Sequence, residues 1–130
     1  MFTLHLSPGA CSRASHIALA ETGLPYTLKR VNFAEGEQRS DGFLKINPKG
    51  RVPALETEHG VLTETVAILA YIAQVASRTE TRLAPTDAFD FARMQAFNAY
   101  LASTVHVAHA HGRRAAVSYT HLTLPTNREV

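Results

Sequence analysis

The chain has 130 residues and a mass of 14.2 kDa, enough for one ordinary domain with a sizeable core and too little for two complete ones. With 45% hydrophobic and 18% charged residues, and no apolar run near the roughly 20 residues of a bilayer span, the composition is that of a soluble globular protein and argues against a membrane-spanning role. A formal net charge of +2 without a Lys/Arg stripe gives no footing for nucleic acid, one cysteine precludes an internal disulfide, and a start without a basic n-region or long apolar stretch makes the cytoplasm the expected location.

The stretch Phe2 to Leu6 alternates apolar and polar residues of β-favouring types and stops at Ser7-Pro8-Gly9, which predicts a short strand and a turn. From Cys11 the spacing changes: Ala14, Ile17, Ala18, Leu19 and Ala20 predict a helix over residues 11–22, with Gly23 as its left-handed stop. Tyr26 to Val31 returns to a period of two after Pro25, so the opening is a β-α-β unit whose crossover favours a parallel pair. A polar, Gly-containing surface loop follows, with one helical turn expected in "GFLKIN". The runs "VPALET" and "VLTE" around His59-Gly60 predict a hairpin. Glu64 to Ala76 is apolar on most sides and predicts a buried helix, with Thr63 as a possible N-cap. Residues 77–86 are polar, closed by a proline and expected to be a linker; Asp87 then caps a helix to about His111, with Phe91, Met94, Phe97 or Asn98, Leu101 and Val105 along one face.

Few residues bear chemistry, and each has a plain structural alternative. Cys11, at the start of a helix, faces unpaired backbone N–H groups and the positive end of the macrodipole, which favour a reactive thiolate; as a small apolar residue, it is equally suited to burial. Glu64 and Thr65 open the buried helix, where N–H groups and a hydroxyl suit a carboxylate ligand, or serve simply as capping residues. His106 and His109 share a helix face, but a metal site needs three or four converging ligands, and none is expected.

Taken together and in this order, "SPGACSRASHIAL", "NPKGRVPAL" and "GVLTETVAILAYIA" resemble bacterial glutathione transferases of the cysteine-containing beta class over about residues 1–114. The resemblance implies an α/β fold: a thioredoxin-like glutathione-binding domain at residues 1–76, a linker at 77–86, and the first helix of an all-helical domain at 87–112. It implies Cys11 as the reactive thiol and a cis Val52-Pro53 bond that turns the Val52 backbone toward the cysteinyl part of glutathione. Glu64 would take the γ-glutamyl ammonium and Thr65 its carboxylate. Arg51, or Lys49, would meet the glycyl carboxylate, and His106 would reach toward the glutathione sulfur.

The expected function is therefore attack of a bound glutathione thiolate on an electrophile, or glutathione-dependent thiol-disulfide exchange through Cys11. Glutathione is the co-substrate and no metal takes part; the partners are glutathione and a small electrophilic or disulfide substrate, with a homodimer for the full-length family member. The alternative is a non-catalytic glutathione-binding or protein-interaction module. The chain departs from the family pattern at Leu6, where an aromatic residue is common, and at Ala99, where an asparagine is. Its last stretch, within residues 113–130, lacks helical periodicity, is rich in Thr and contains Pro125, so it is expected to be an out-of-frame or adaptor-derived read-through after a truncated helical domain. Loss of the following helices would expose the apolar stripe of residues 88–108.

Overall fold

The computed structural model describes residues 1–111, and its first strand organises the rest. Strand β1 (Phe2–Leu6) runs parallel to β2 (Tyr26–Arg30) on one side and antiparallel to β3 (Ala54–Thr57) on the other; β4 (Gly60–Thr63) adds to β3. The order is β2-β1-β3-β4, the mixed sheet of a thioredoxin-like domain. The parallel pair follows from the crossover helix α1 (Ser12–Thr22), which Gly23 ends at φ 71° with its N–H returned to the Ala20 carbonyl.

Side chains of β1 alternate between two covered faces. Leu4 points into the main core with Leu19 of α1, Leu55 of β3, and Ile68 and Ile72 of α3 (Thr65–Ala76), all nearly or fully buried. His5 points the other way and is buried as well. Its Nε2 lies 2.6 Å from Glu56 Oε2, and its ring meets Phe43 of α2 (Asp41–Ile46) edge-on at 5.7 Å. Phe43 joins Val31 and Val52 in a second apolar cluster. A buried imidazole is tolerable here because a carboxylate satisfies it.

Between β2 and α2 the polar segment makes two single 3₁₀ turns, Phe33–Glu35 and Glu37–Arg39, before Ser40 caps α2 by accepting from the Phe43 N–H. Local differences from the sequence expectation have simple causes. Cys11 stands just outside α1 as its cap residue. The hairpin turn is Glu58-His59, one residue earlier than expected, because Gly60 pairs with Thr57 and the Thr57 hydroxyl bonds both the His59 N–H and the Gly60 carbonyl.

The described residues fall into two units, Met1–Pro85 and a second beginning at Thr86. In the second, Asp87 caps α4 (Ala88–Tyr100) by accepting from the Asp90 N–H at 3.0 Å. The helix does not run on uniformly: Leu101–Val105 widens to a π-helical segment, where the Ser103 hydroxyl donates to the Ala99 carbonyl, before residues 106–111 return to α-helix. No residue of α4 is buried, and Phe89 and Phe97 are largely exposed. The expected irregular tail lies outside the described residues. No helix among the described residues is long and apolar enough to cross a membrane.

Leu55, at 0% exposure, should be far more sensitive to truncation than Val61 on the edge strand, at 42%. Leu55→Ala is expected to lower unfolding free energy by about 2–5 kcal/mol, and Val61→Ala by about 0.5 kcal/mol or less, in urea titrations monitored by circular dichroism.

Candidate active site

Three chain segments meet at one end of β1 and β3, and each is locked by its own polar residues. The first is the loop Ser7 to Cys11. Ser12 is fully buried at the start of α1; its hydroxyl accepts from the Ser7 N–H at 3.1 Å and donates to the Ser7 carbonyl at 3.2 Å. With Gly9 at φ 76° and the Ala10 N–H on the Ser7 carbonyl, this clamp closes the loop on itself and presents the half-buried thiol of Cys11. Ser12 is thereby committed twice and is not available to a ligand. Its small side chain is required because the loop's backbone groups are shielded from water there.

The second segment is the turn Asn47 to Val52. Asn47 is 1% exposed, and its side chain works as a bracket: the amide donates to the Arg51 carbonyl at 2.8 Å, and its oxygen accepts from the Lys49 N–H at 3.1 Å. The turn ends in a cis Val52-Pro53 peptide, as the resemblance implies, and Pro53 leads directly into β3. The Val52 carbonyl accepts from Cys11 Sγ at 3.5 Å, so the first two segments are in direct contact.

The third segment is the start of α3. Glu64 caps this helix at φ 76° and ψ 121°, a left-handed conformation that a non-glycine residue holds only when its surroundings determine it. Glu64 makes no side-chain capping bond; its carboxylate instead pairs with the Lys49 ammonium. Thr63 is not the N-cap. It closes β4, and its hydroxyl receives a bond from Lys49 Nζ at 3.3 Å. Thr65 Oγ1 donates to Cys11 Sγ at 3.9 Å, bringing the third segment onto the first.

The structure thus brings Cys11, Val52 and Thr65 together, with Pro53 and Glu64 adjoining them in the chain. Arg51 is exposed on the bracketed turn. His106 belongs to the second unit, where it caps the π-helical segment and is exposed. Leu6 packs against the main core, and its carbonyl accepts from the Val31 N–H. No group of three or more His, Cys, Asp or Glu residues among the described ones is arranged to hold a metal ion.

Two parts of the site escape a sequence reading. The Ser7–Ser12 clamp has a faint signal, a pair of serines five residues apart just after the end of a strand, whereas the Lys49–Glu64 pair spans 15 residues and depends on the hairpin between them. Chemically, the site offers a thiol beside a hydroxyl donor, a backbone carbonyl at the mouth of a cis-proline turn, and an acid at the start of a helix.

Residues 3–74 match the family model of the glutathione S-transferase N-terminal domain. The chain belongs to the glutathione S-transferase family. It is 38% identical over 105 residues to glutathione S-transferase GstA of Escherichia coli O157:H7, covering 79% of this chain and 52% of that protein. A Sulfitobacter glutathione transferase homologue solved with bound glutathione superposes with a TM-score of 0.85 at 45% identity, over 99% of this chain and 60% of the other. A bacterial beta-class glutathione S-transferase from Sphingomonas chungbukensis superposes with a TM-score of 0.73 at 41% identity, over 83% of this chain and 54% of its own. The chain thus spans about half the length of the first curated relative it matches, at 52%.

The clamp gives a direct check. Ser12→Ala strands the Ser7 N–H in the interior, and the folded state is expected to lose about 1–3 kcal/mol in a denaturant titration.

Proposed function

We propose that the chain is the glutathione-binding half of a glutathione transferase, with Cys11 as the thiol that meets the tripeptide. One observation supports this above the others: the Cys11 sulfur lies 3.5 Å from the Val52 carbonyl and 3.9 Å from the Thr65 hydroxyl in a member of this family. A peptide-like ligand running along the cis-proline turn would exchange its own amide for the thiol at the Val52 carbonyl. Its sulfur would then lie beside Cys11, and its γ-glutamyl carboxylate would reach Thr65 and the first N–H groups of α3. Glu64 receives the γ-glutamyl ammonium, and Arg51 the glycyl carboxylate. His106 is assigned to the glutathione sulfur by resemblance alone.

Two reactions follow from a thiolate held in this way. In conjugation, the glutathione thiolate forms a bond to an electrophilic carbon and a leaving group departs with its electron pair. In exchange, the Cys11 thiolate attacks the glutathione sulfur of a mixed disulfide between glutathione and a substrate thiol; the S–S bond breaks, a Cys11–glutathione disulfide forms, and the substrate thiolate leaves with the electron pair. A second glutathione thiolate then attacks the glutathione sulfur of that adduct, forming glutathione disulfide and releasing Cys11 as its thiolate. A detoxifying role, a homodimer and a cytoplasmic setting belong to the same proposal.

The test is the alkylation rate of Cys11 by iodoacetamide, with and without S-methylglutathione, which binds without undergoing thiol chemistry. Saturable protection in the millimolar range or below is expected. Thr65→Val should weaken that protection about tenfold or more, since a hydrogen bond to a charged group contributes about 1.5–3 kcal/mol. A folded protein whose alkylation ignores the ligand would overturn the proposal and leave Cys11 as a packing residue.

A further inference from the structure

We infer that Lys49 is an internal competitor for the ligand's ammonium group, and that it sets how strongly the site selects ligands carrying one. This rests on the proposed glutathione site and deepens it. The sequence offers Lys49 as a partner for the glycyl carboxylate. The structure directs its ammonium elsewhere, to the Glu64 carboxylate and to Thr63 Oγ1 at 3.3 Å. Glu64 is the carboxylate proposed to receive the ligand's own ammonium, so Lys49 and the ligand would claim the same carboxylate.

The backbone at each partner is fixed, while the two side chains reach each other through solvent-exposed arms. Lys49 extends from the turn that Asn47 brackets, with its N–H on Asn47 Oδ1 and the Gly50 N–H on the Asn47 carbonyl. Glu64 is exposed and holds φ 76°, while its carbonyl accepts the Ile68 N–H of α3. The two side chains remain 51% and 64% exposed, so the pair is screened by water and can open at small cost. A ligand with an ammonium group must displace Lys49 from Glu64. A ligand without one leaves the pair closed and meets no such competition. The exchange replaces one cation by another and returns Lys49 to solvent.

The experiment uses the full chain and two probes, S-methylglutathione and its deamino analogue, S-methyl-glutaryl-cysteinylglycine, each titrated calorimetrically. Lys49→Met keeps most of the length of the side chain and removes the charge. It is expected to raise the association constant for S-methylglutathione about two- to fivefold, the range open to an exposed ion pair, and to leave the deamino analogue unchanged or weaker. Lys49→Arg restores a cation and should return the wild-type ratio between the two probes. Weaker binding of both probes by Lys49→Met would overturn the inference and make Lys49 a carboxylate contact. An equal gain for both would overturn it as a general charge effect. Failure of the wild-type chain to bind either probe would instead remove the glutathione site itself, and the inference with it.

Discussion

Strand β1 has to be hydrogen-bonded along both edges and covered on both faces, and the placement of the site follows from how that demand is met. A central strand with no open edge needs a partner on each side; here the α1 crossover supplies a parallel one and β3 an antiparallel one. Because α1 must start where β1 stops, the loop from Ser7 to Cys11 is brought to the end of the sheet. Because β3 runs antiparallel beside β1, its start lies at that same end, and the cis-proline turn arrives next to the thiol. The site is therefore a by-product of strand order, with a few side chains fixing its details.

Those side chains share a property: they satisfy backbone groups before they are available for anything else. Ser12 is occupied by Ser7 and Asn47 by its own turn. The groups left over, Cys11, Thr65, Glu64 and Lys49, are half-buried or exposed, and their mutual contacts are loose or solvent-screened. A buried, doubly bonded serine is scaffolding, while a half-exposed thiol with one distant hydroxyl can accept a new partner. Burial thus separates residues that build the site from those that can act in it.

The elements were legible wherever a local rule decides them. The period of two in β1 and β2, the Gly23 stop, Asp87 as a cap and the apolar run of α3 are each read within a few residues of sequence. The candidate site entered through the family resemblance that three motifs in order carry, which is how Cys11, Val52, Pro53, Glu64 and Thr65 became candidates. What stayed hidden depends on tertiary context. Thr63 looks like a helix cap, but pairing with Ala54 keeps it in β4 and moves the cap to Glu64. Lys49 looks like any surface lysine until the hairpin folds Glu64 back to it. The widening at Leu101–Val105 has no proline or glycine to announce it.

Gly50 gives the polar segment before α2 a purpose that its composition conceals. Its φ is 66°, and a β-carbon there would stand 3.0 Å from the Gln38 carbonyl, so the turn bearing Lys49 and Arg51 rests against the backbone of the 3₁₀ turn Glu37–Arg39. What reads as a loose, tolerant loop is in fact the buttress behind the turn that carries Lys49 and Arg51. Insertions in the segment 36–40 would therefore be felt at the mouth of the site, whereas the exposed hairpin tip at Glu58-His59 offers a place to attach a label or graft a peptide without disturbing it.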